Sequence, residues 1–312
     1  MDTENSTATA TGLFGKVKSG INRKKLRILN QFVRHDEMII RLNGQPAAIE
    51  LSIVIPCLNE VETVSSCVRK AVCWLESRAL CGEVVVADNG STDGSVETSE
   101  QVGARVVRIS QKGYGNALMG GIEHAHGKYL IMGDADDSYD FLQLDGFIEQ
   151  LRIGCDLVQG CRLPVGGGQV MPGAMPFLHR WLGNPFFSFL ARRWFGVPIH
   201  DVYCGLRGFS RDFYRQLNLQ CTGMEFAVEM IVKASLMKAR IGEVPITLYP
   251  DGRVDRKSHL RTFRDGWRTL CFFLSVGSKR LLVQGISLLV FGLTGALILF
   301  ASTTFTGMIV LS

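Results

Sequence analysis

Residues Lys128 to Asp140 read KYLIMGDADDSYD, an apolar run that ends abruptly in four carboxylates. Tyr129 to Met132 has the composition of a buried strand, and Gly133 lets the chain turn as it leaves a sheet. Asp134 and Asp136 are separated by Ala135 alone, so a turn after the strand can aim both at one divalent cation. That cation would carry diphosphate oxygens on its other positions. The same acids also suit a polar turn with a helix N-cap ahead of Phe141. The flanking sequence decides between the two.

Towards the N-terminus, Leu51 to Pro56 (LSIVIP) is a β-branched run closed by a proline, and Asn59-Glu60 then begins a helix carrying Val64, Val68, Ala71, Val72 and Leu75. A second cycle follows. Glu83 to Ala87 is a strand, residues 88–94 (DNGSTDG) a turn-rich loop, Ser95 to Gln101 a short helix, and Ala104 to Ile109 a further strand. Strands alternating with helices imply an α/β fold with a parallel sheet, whose ligands bind beyond the carboxyl ends of the strands. Glu60, Asp88 and the Asp134 group all fall at such ends. Singly, Glu60 suits a helix dipole and Asp88 a tight turn. Together, three acidic strand ends on one rim repel unless a cation or a base edge is bound there. Asp88 is suited to accept a hydrogen bond from a nucleobase N–H. Lys112-Gly113-Tyr114-Gly115-Asn116 opens a helix through Ala117, Leu118 and Ile122, with glycines and free N–H groups that can approach phosphate.

The segments SIVIPCLNE, VVVADNGSTDGS, KGYGNALMGG and GKYLIMGDADDS resemble, in order and spacing, family 2 glycosyltransferases of the GT-A fold. Within that family they are similar to the branch of dolichyl-phosphate mannose synthase and related polyprenyl-phosphate glycosyltransferases. The resemblance spans residues 51–250 and implies a Rossmann-like, mostly parallel sheet flanked by helices. It further implies a UDP- or GDP-sugar donor, a Mg²⁺ or Mn²⁺ ion, and inversion at the sugar carbon. By the match, Pro56, Glu60 and Asp88 contact the donor base and ribose, and Asp134, Ala135 and Asp136 form the metal and diphosphate motif. Lys112 and Gly113 join the donor site. Arg162, in a Gly-Cys-Arg like the family's Gly-Ser-Arg, can fork onto phosphate. Arg207 matches a phosphate contact. Asp201 is either a general base for an acceptor hydroxyl or an orienting partner of His200 or Arg207.

Arg253 and Ser258 match the family's Arg-x-x-Gly-x-Ser-Lys, in which Arg256 here replaces the glycine and His259 the lysine. Positive charge beside the leaving diphosphate is retained by Arg256 and Lys257. Catalytic roles are accordingly expected for Asp136, Asp201, Arg207 and Arg253. Ser138 stands where the mannose synthases often have a metal-holding Gln, which leaves water as the expected third ligand.

The flanks concern membranes. Residues 1–48 read as a disordered extension with a basic stretch, and residues 49–250 as the catalytic domain. Between Pro172 and Pro198, aromatics including Phe177, Trp181, Phe186, Phe189 and Trp194 sit beside Arg180, Arg192 and Arg193, which suits a lipid headgroup boundary or a core helix pair. Residues 251–280 form a basic amphipathic juxtamembrane segment, with Phe263, Trp267, Leu270, Cys271 and Leu274 at helical spacing and Arg261, Arg264, Asp265 and Arg268 on other faces. Leu281 to Phe300 holds no charged residue over twenty positions, enough to cross a hydrocarbon core of about 30 Å, so residues 281–301 are expected to span a membrane. Lys279-Arg280 then places the catalytic domain in the cytoplasm. Residues 302–312 are a short tail, with a truncated second span left open.

Composition bounds the partners. The 312 residues carry a net charge of +5, too modest to imply nucleic acid, and none is expected as a partner. Nine scattered cysteines without a Cys-x-x-Cys pair argue against a disulfide framework or a zinc cluster. Expected partners are a nucleotide sugar, a polyprenyl or dolichyl phosphate and membrane lipid, with self-association into a homo-oligomer left open. The expected activity is hexose transfer to the lipid phosphate at the cytoplasmic membrane face. A hydroxyl of a glycolipid or lipid-linked glycan is the alternative acceptor, and a non-catalytic nucleotide-sugar-binding scaffold the alternative of another class.

Overall fold

The computed structural model describes residues 48–253, residues 263–277 and Thr294. Strand and helix alternate from the first element: β1 (Leu51–Cys57), α1 (Val64–Ser77), β2 (Gly82–Asp88), α2 (Ser95–Gln101), β3 (Arg105–Arg108), α3 (Tyr114–His124), β4 (Tyr129–Met132), α4 (Asp145–Arg152) and β5 (Leu157–Cys161). The second half is less regular. It holds β6 (Gln169–Val170), a π-helical turn (His179–Gly183), α5 (Asn184–Phe195), β7 (Arg207–Ser210), α6 (Arg211–Leu217), α7 (Phe226–Leu236), β8 (Ile241–Pro245) and β9 (Thr247–Leu248). A further helix, α8, covers residues 263–277.

Seven strands make one sheet in the order β3-β2-β1-β4-β7-β5-β8. β7 runs antiparallel to both of its neighbours, and the remaining pairs are parallel. The carboxyl ends of β2, β1 and β4 therefore lie side by side. Successive side chains sort onto opposite faces with the period of two that strands impose. Leu51, Ile53 and Ile55 of β1 and Ile131 of β4 pack in one apolar layer with Val64, Val68 and Trp74 of α1 and Phe147 of α4. Val54, Leu130 and Met132 pack in the other with Leu118 and Ile122 of α3, α7 and Phe273 of α8. Both faces of the sheet are thus covered, which is what a mostly parallel sheet requires.

The inner side of the aromatic segment packs as a core helix pair does. Phe187, Trp194 and Phe195 of α5 meet Phe273 of α8 with ring centroids 6.1, 6.3 and 5.3 Å apart, and Phe273 is fully buried. The outer side of the same segment is left open, with Phe177 79%, Trp181 64% and Phe189 56% exposed. On α8, Phe263 is 86% and Trp267 65% exposed, whereas Leu270 packs against the core. Arg268 forms an ion pair with Glu225. Among the described residues no helix is long and apolar enough to cross a membrane. The expected span 281–301 lies outside them except for Thr294, as do the N-terminal extension to residue 47, Arg256, Lys257, Ser258, His259 and Arg261.

Candidate active site

The ends of β1 and β4 and the start of α3 open on a cavity of about 450 Å³. Pro56 and Glu60 reach it from the end of β1, Lys112 and Gly113 from the approach to α3, Asp134, Ala135 and Asp136 from the turn after β4, and Arg253 from the segment after β9. Eight of the residues singled out in the sequence are thereby brought together. Met224, Arg264 and Arg268, from the turn before α7 and from α8, line it as well.

The two acids at the end of β4 are held alike. The Tyr114 hydroxyl donates to Asp134 Oδ1 at 2.8 Å, and the Ser138 hydroxyl and amide donate to Asp136 Oδ1 at 2.6 and 3.1 Å. No donor among the described residues makes a hydrogen bond to either Oδ2, although Arg253 Nη1 stands 3.8 Å from that of Asp136. A Cβ at residue 205 would fall 2.5 Å from Asp134 Oδ2, so Gly205 is what allows this carboxylate its place. Burial and then the Asp136 charge push the Asp134 carboxyl up to about 6. Such like-charge pressure is relieved by a cation. No group of three or more His, Cys, Asp or Glu side chains among the described residues could hold a metal by itself. Two carboxylates fit a Mg²⁺ or Mn²⁺ ion that takes its other ligands from substrate phosphates and water. Ser138 is engaged with Asp136 and is not free as a third ligand.

Glu60 has a different partner from the expected nucleobase. Its carboxylate accepts both Nε of Arg253, at 2.6 Å, and Nη2 of the same guanidinium, a two-point pairing across 193 positions of chain. Arg253 Nη1 also reaches Asp251. The pair fixes the permanent Arg253 charge beside Asp136; its fork is taken up by Glu60, so what it offers a diphosphate is positive charge rather than a two-point grip.

Four expected site residues stand elsewhere. Asp88 is buried and caps its own turn, accepting from the amides of Gly90 and Ser91 at 3.2 and 3.0 Å; it borders a neighbouring hollow of about 350 Å³ rather than the main cavity. Asp201 is fully buried and meets Arg162 Nε and Nη2 at 2.7 and 2.9 Å, so it orients neither His200 nor Arg207. Burial opposes the Arg162 charge, and Asp201 more than compensates, leaving the guanidinium held well above its usual range. Arg207 is fully buried as well, donating to the carbonyls of Ala227 and Cys204 at 2.6 Å each. None of the three is among the residues that line the cavity.

The glycine-rich turn also differs in purpose. Gly113 N donates to Asn89 Oδ1 and Gly115 N to Thr222 O, both at 2.9 Å, so these amides are not free for phosphate. A Cβ on Gly113 or Gly115 would lie 2.4 or 2.3 Å from the carbonyl of Thr222 or Cys221, so the glycines serve close approach of that loop. Asn89, unforeseen, ties the turn together: its Nδ2 donates to Ile109 O and Gln111 O, and its carbonyl accepts from Lys112 Nζ at 2.5 Å. Tyr114 and Asp251 were also missed. Tyr114 meets an acid twenty residues on, and Asp251 meets Arg253, which its motif match marks for a diphosphate and not for a carboxylate.

The relative Agl6, a low-salt glycan biosynthesis hexosyltransferase of Haloferax volcanii, is 38% identical over 77% of this chain, which spans 56% of that relative's length. A dolichyl-phosphate hexose transferase of the same organism is 29% identical, covering 63% of this chain and 82% of its own. Glucosyl-3-phosphoglycerate synthase of Mycobacterium tuberculosis, solved with Mn²⁺, UDP and glucosyl-3-phosphoglycerate, superposes with a TM-score of 0.56 at 20% identity over 74% of this chain and 81% of its own, a likeness of fold alone. The sequence profile described as glycosyl transferase family 2 matches residues 52–217, more than half of the chain and every strand end that lines the cavity, and the chain belongs to that family.

Proposed function

We propose that this chain transfers a hexose, with inversion, from a UDP- or GDP-sugar to a polyprenyl or dolichyl phosphate at the cytoplasmic face of a membrane. The observation that carries the reading is the pair Asp134 and Asp136, each with one oxygen tied by its own chain, in a cavity shared with Lys112 and Arg253. Asp134 and Asp136 hold Mg²⁺ or Mn²⁺, which when bound offsets charge on the departing diphosphate. Arg253, steadied by Glu60, adds a fixed positive charge on the same side. Lys112 supplies a second cation.

A phosphate acceptor accords with the state of Asp201. A phosphate monoester is ionised near neutral pH and attacks without surrendering a proton, whereas a hydroxyl needs a base. Asp201 has both oxygens engaged by Arg162 and is not available for that task. The dolichyl-phosphate hexose transferase among the relatives points the same way. So does α8, which sends Arg264 and Arg268 to the cavity and Phe263 and Trp267 to the surface, a route by which a lipid headgroup can reach the site while its chain stays in the bilayer. The membrane span at 281–301 belongs to the same proposal.

The test is a panel of nucleotide sugars offered with polyprenyl phosphate or with polyprenol, the product being identified by mass. A polyprenyl-phosphate hexose is expected from one donor, with release of its nucleoside diphosphate. Product from polyprenol instead would move the acceptor to a hydroxyl. No transfer to any lipid would leave a binding scaffold.

A further inference from the structure

We propose that Tyr114 and Ser138 are positioning residues that set the direction in which Asp134 and Asp136 present their free oxygens to a divalent cation. The inference rests on the reading of those two acids as metal ligands. A carboxylate turns about a broad terminal torsion, so a pair of untethered carboxylates samples many relative orientations. A hydrogen bond to one oxygen removes that freedom and points the other. Partners of this kind, one step removed from a metal, commonly govern its affinity.

The structure supplies one such donor for each acid, from different places in the chain. Ser138 is two residues beyond Asp136, buried, and donates through both hydroxyl and amide to the same Oδ1. Tyr114 is 20 residues before Asp134, at the start of α3, and spans from that helix to the β4 turn. Its own backbone is anchored, because the amides of the next two residues, Gly115 and Asn116, donate to Thr222 O at 2.9 and 3.4 Å. These bonds hold the stretch of backbone from which the ring projects. Gly205, having no Cβ, leaves the room that Asp134 Oδ2 occupies. Neither hydroxyl has to touch the metal or the sugar to act, and a serine in place of a longer ligand-bearing side chain has a defined task.

The experiment measures Mn²⁺ binding directly, by electron paramagnetic resonance on the full chain with and without UDP, alongside unfolding in a chelator. Tyr114→Phe and Ser138→Ala are each expected to weaken Mn²⁺ binding by ~10-fold or more. Saturating Mn²⁺ should restore most of the turnover of each, a split that a general loss of packing does not produce. Asp136→Asn is the control and should lose the site. If Asp136→Asn loses Mn²⁺ while both hydroxyl variants bind it as the parent does, the positioning role is overturned and the metal reading stands. If Asp136→Asn keeps the parent affinity, the metal reading fails and the inference with it. Should Tyr114→Phe fail to fold, Ser138→Ala decides alone by the same comparison.

Discussion

Arg162 carries a full charge into the interior only because Asp201 meets it at two points, 2.7 and 2.9 Å away, with both side chains almost or fully excluded from solvent. Breaking such a pair by removing one partner strands the other charge and typically costs about 3–5 kcal/mol. Asp201→Asn keeps one acceptor, so a loss near the lower end, about 3 kcal/mol, is expected in denaturant unfolding. The variant that does fold should turn over at close to the parent rate. A general base would give the reverse outcome, an unchanged unfolding curve with kcat lower by on the order of 10²- to 10⁴-fold. At this scale the sequence announces which residues carry chemistry but not whom they face. Glu60 and Arg253 were both legible as site residues, yet their mutual pairing joins positions 193 apart and leaves no local pattern. Tyr114 was read only as part of a glycine-rich turn, since a hydroxyl that holds an acid twenty residues on has no spacing to betray it.

Among the elements, β2 shows how one carboxylate can pin three neighbours. Glu83, near its start, accepts from Arg105 of β3 at 2.6 and 3.0 Å, from the His126 amide between α3 and β4 at 2.6 Å, and from the Ser52 hydroxyl of β1 at 2.8 Å. Burial by itself would raise this carboxyl; the hydrogen bonds from Arg105, His126 and Ser52 outweigh it and hold the group below its ordinary 4.5. A carboxyl depressed in the folded state contributes stability above its unfolded value, and that contribution drains away as pH falls through the folded value. Glu83→Gln should therefore unfold more easily than the parent at neutral pH. The gap should narrow once the pH drops below 4.5, and pH-dependent chemical denaturation of the two proteins would reveal a constant gap if the reading is wrong. β1, β2 and β4 were legible because runs such as LSIVIP and EVVVA are long enough to show burial. β7 was not, since four residues headed by an arginine show too few alternations, and the antiparallel insertion between β4 and β5 is a matter of tertiary pairing. The purpose of the glycine turn before α3 is hidden in the sequence for a similar reason: close approach of the 221–222 loop is set by a distant segment.

Taken whole, the molecule concentrates its exposed aromatics where its cations also gather. Arg180 stands over the Trp181 ring, Phe189 precedes the exposed Arg192 and Arg193 by three and four positions on α5, and α8, docked on α5 through Phe273, adds Phe263, Trp267 and Arg264. Monomeric proteins seldom leave so many large apolar side chains open in one region, and a rim of arginines suits an anionic bilayer. Each cation near such a surface contributes up to about 1 kcal/mol, an amount that salt screens, and the inserted rings add an apolar term that salt does not weaken. A chain ending at Gly277, without the apolar stretch beyond it, should therefore bind anionic vesicles at low ionic strength, release as salt rises, and bind neutral vesicles more weakly. Replacing Trp181 and Trp267 by serine should weaken binding to both vesicle types, because it removes the apolar term common to them. Replacing Arg192 and Arg193 by glutamine should weaken only the anionic binding and flatten its salt dependence. Absence of binding to anionic vesicles at low salt would mean that the exposed faces of α5 and α8 are not a lipid surface, and that attachment, if any, rests on the segment after residue 277 alone. Binding that survives high salt and ignores vesicle charge would assign the contact to the rings and take the arginines out of it.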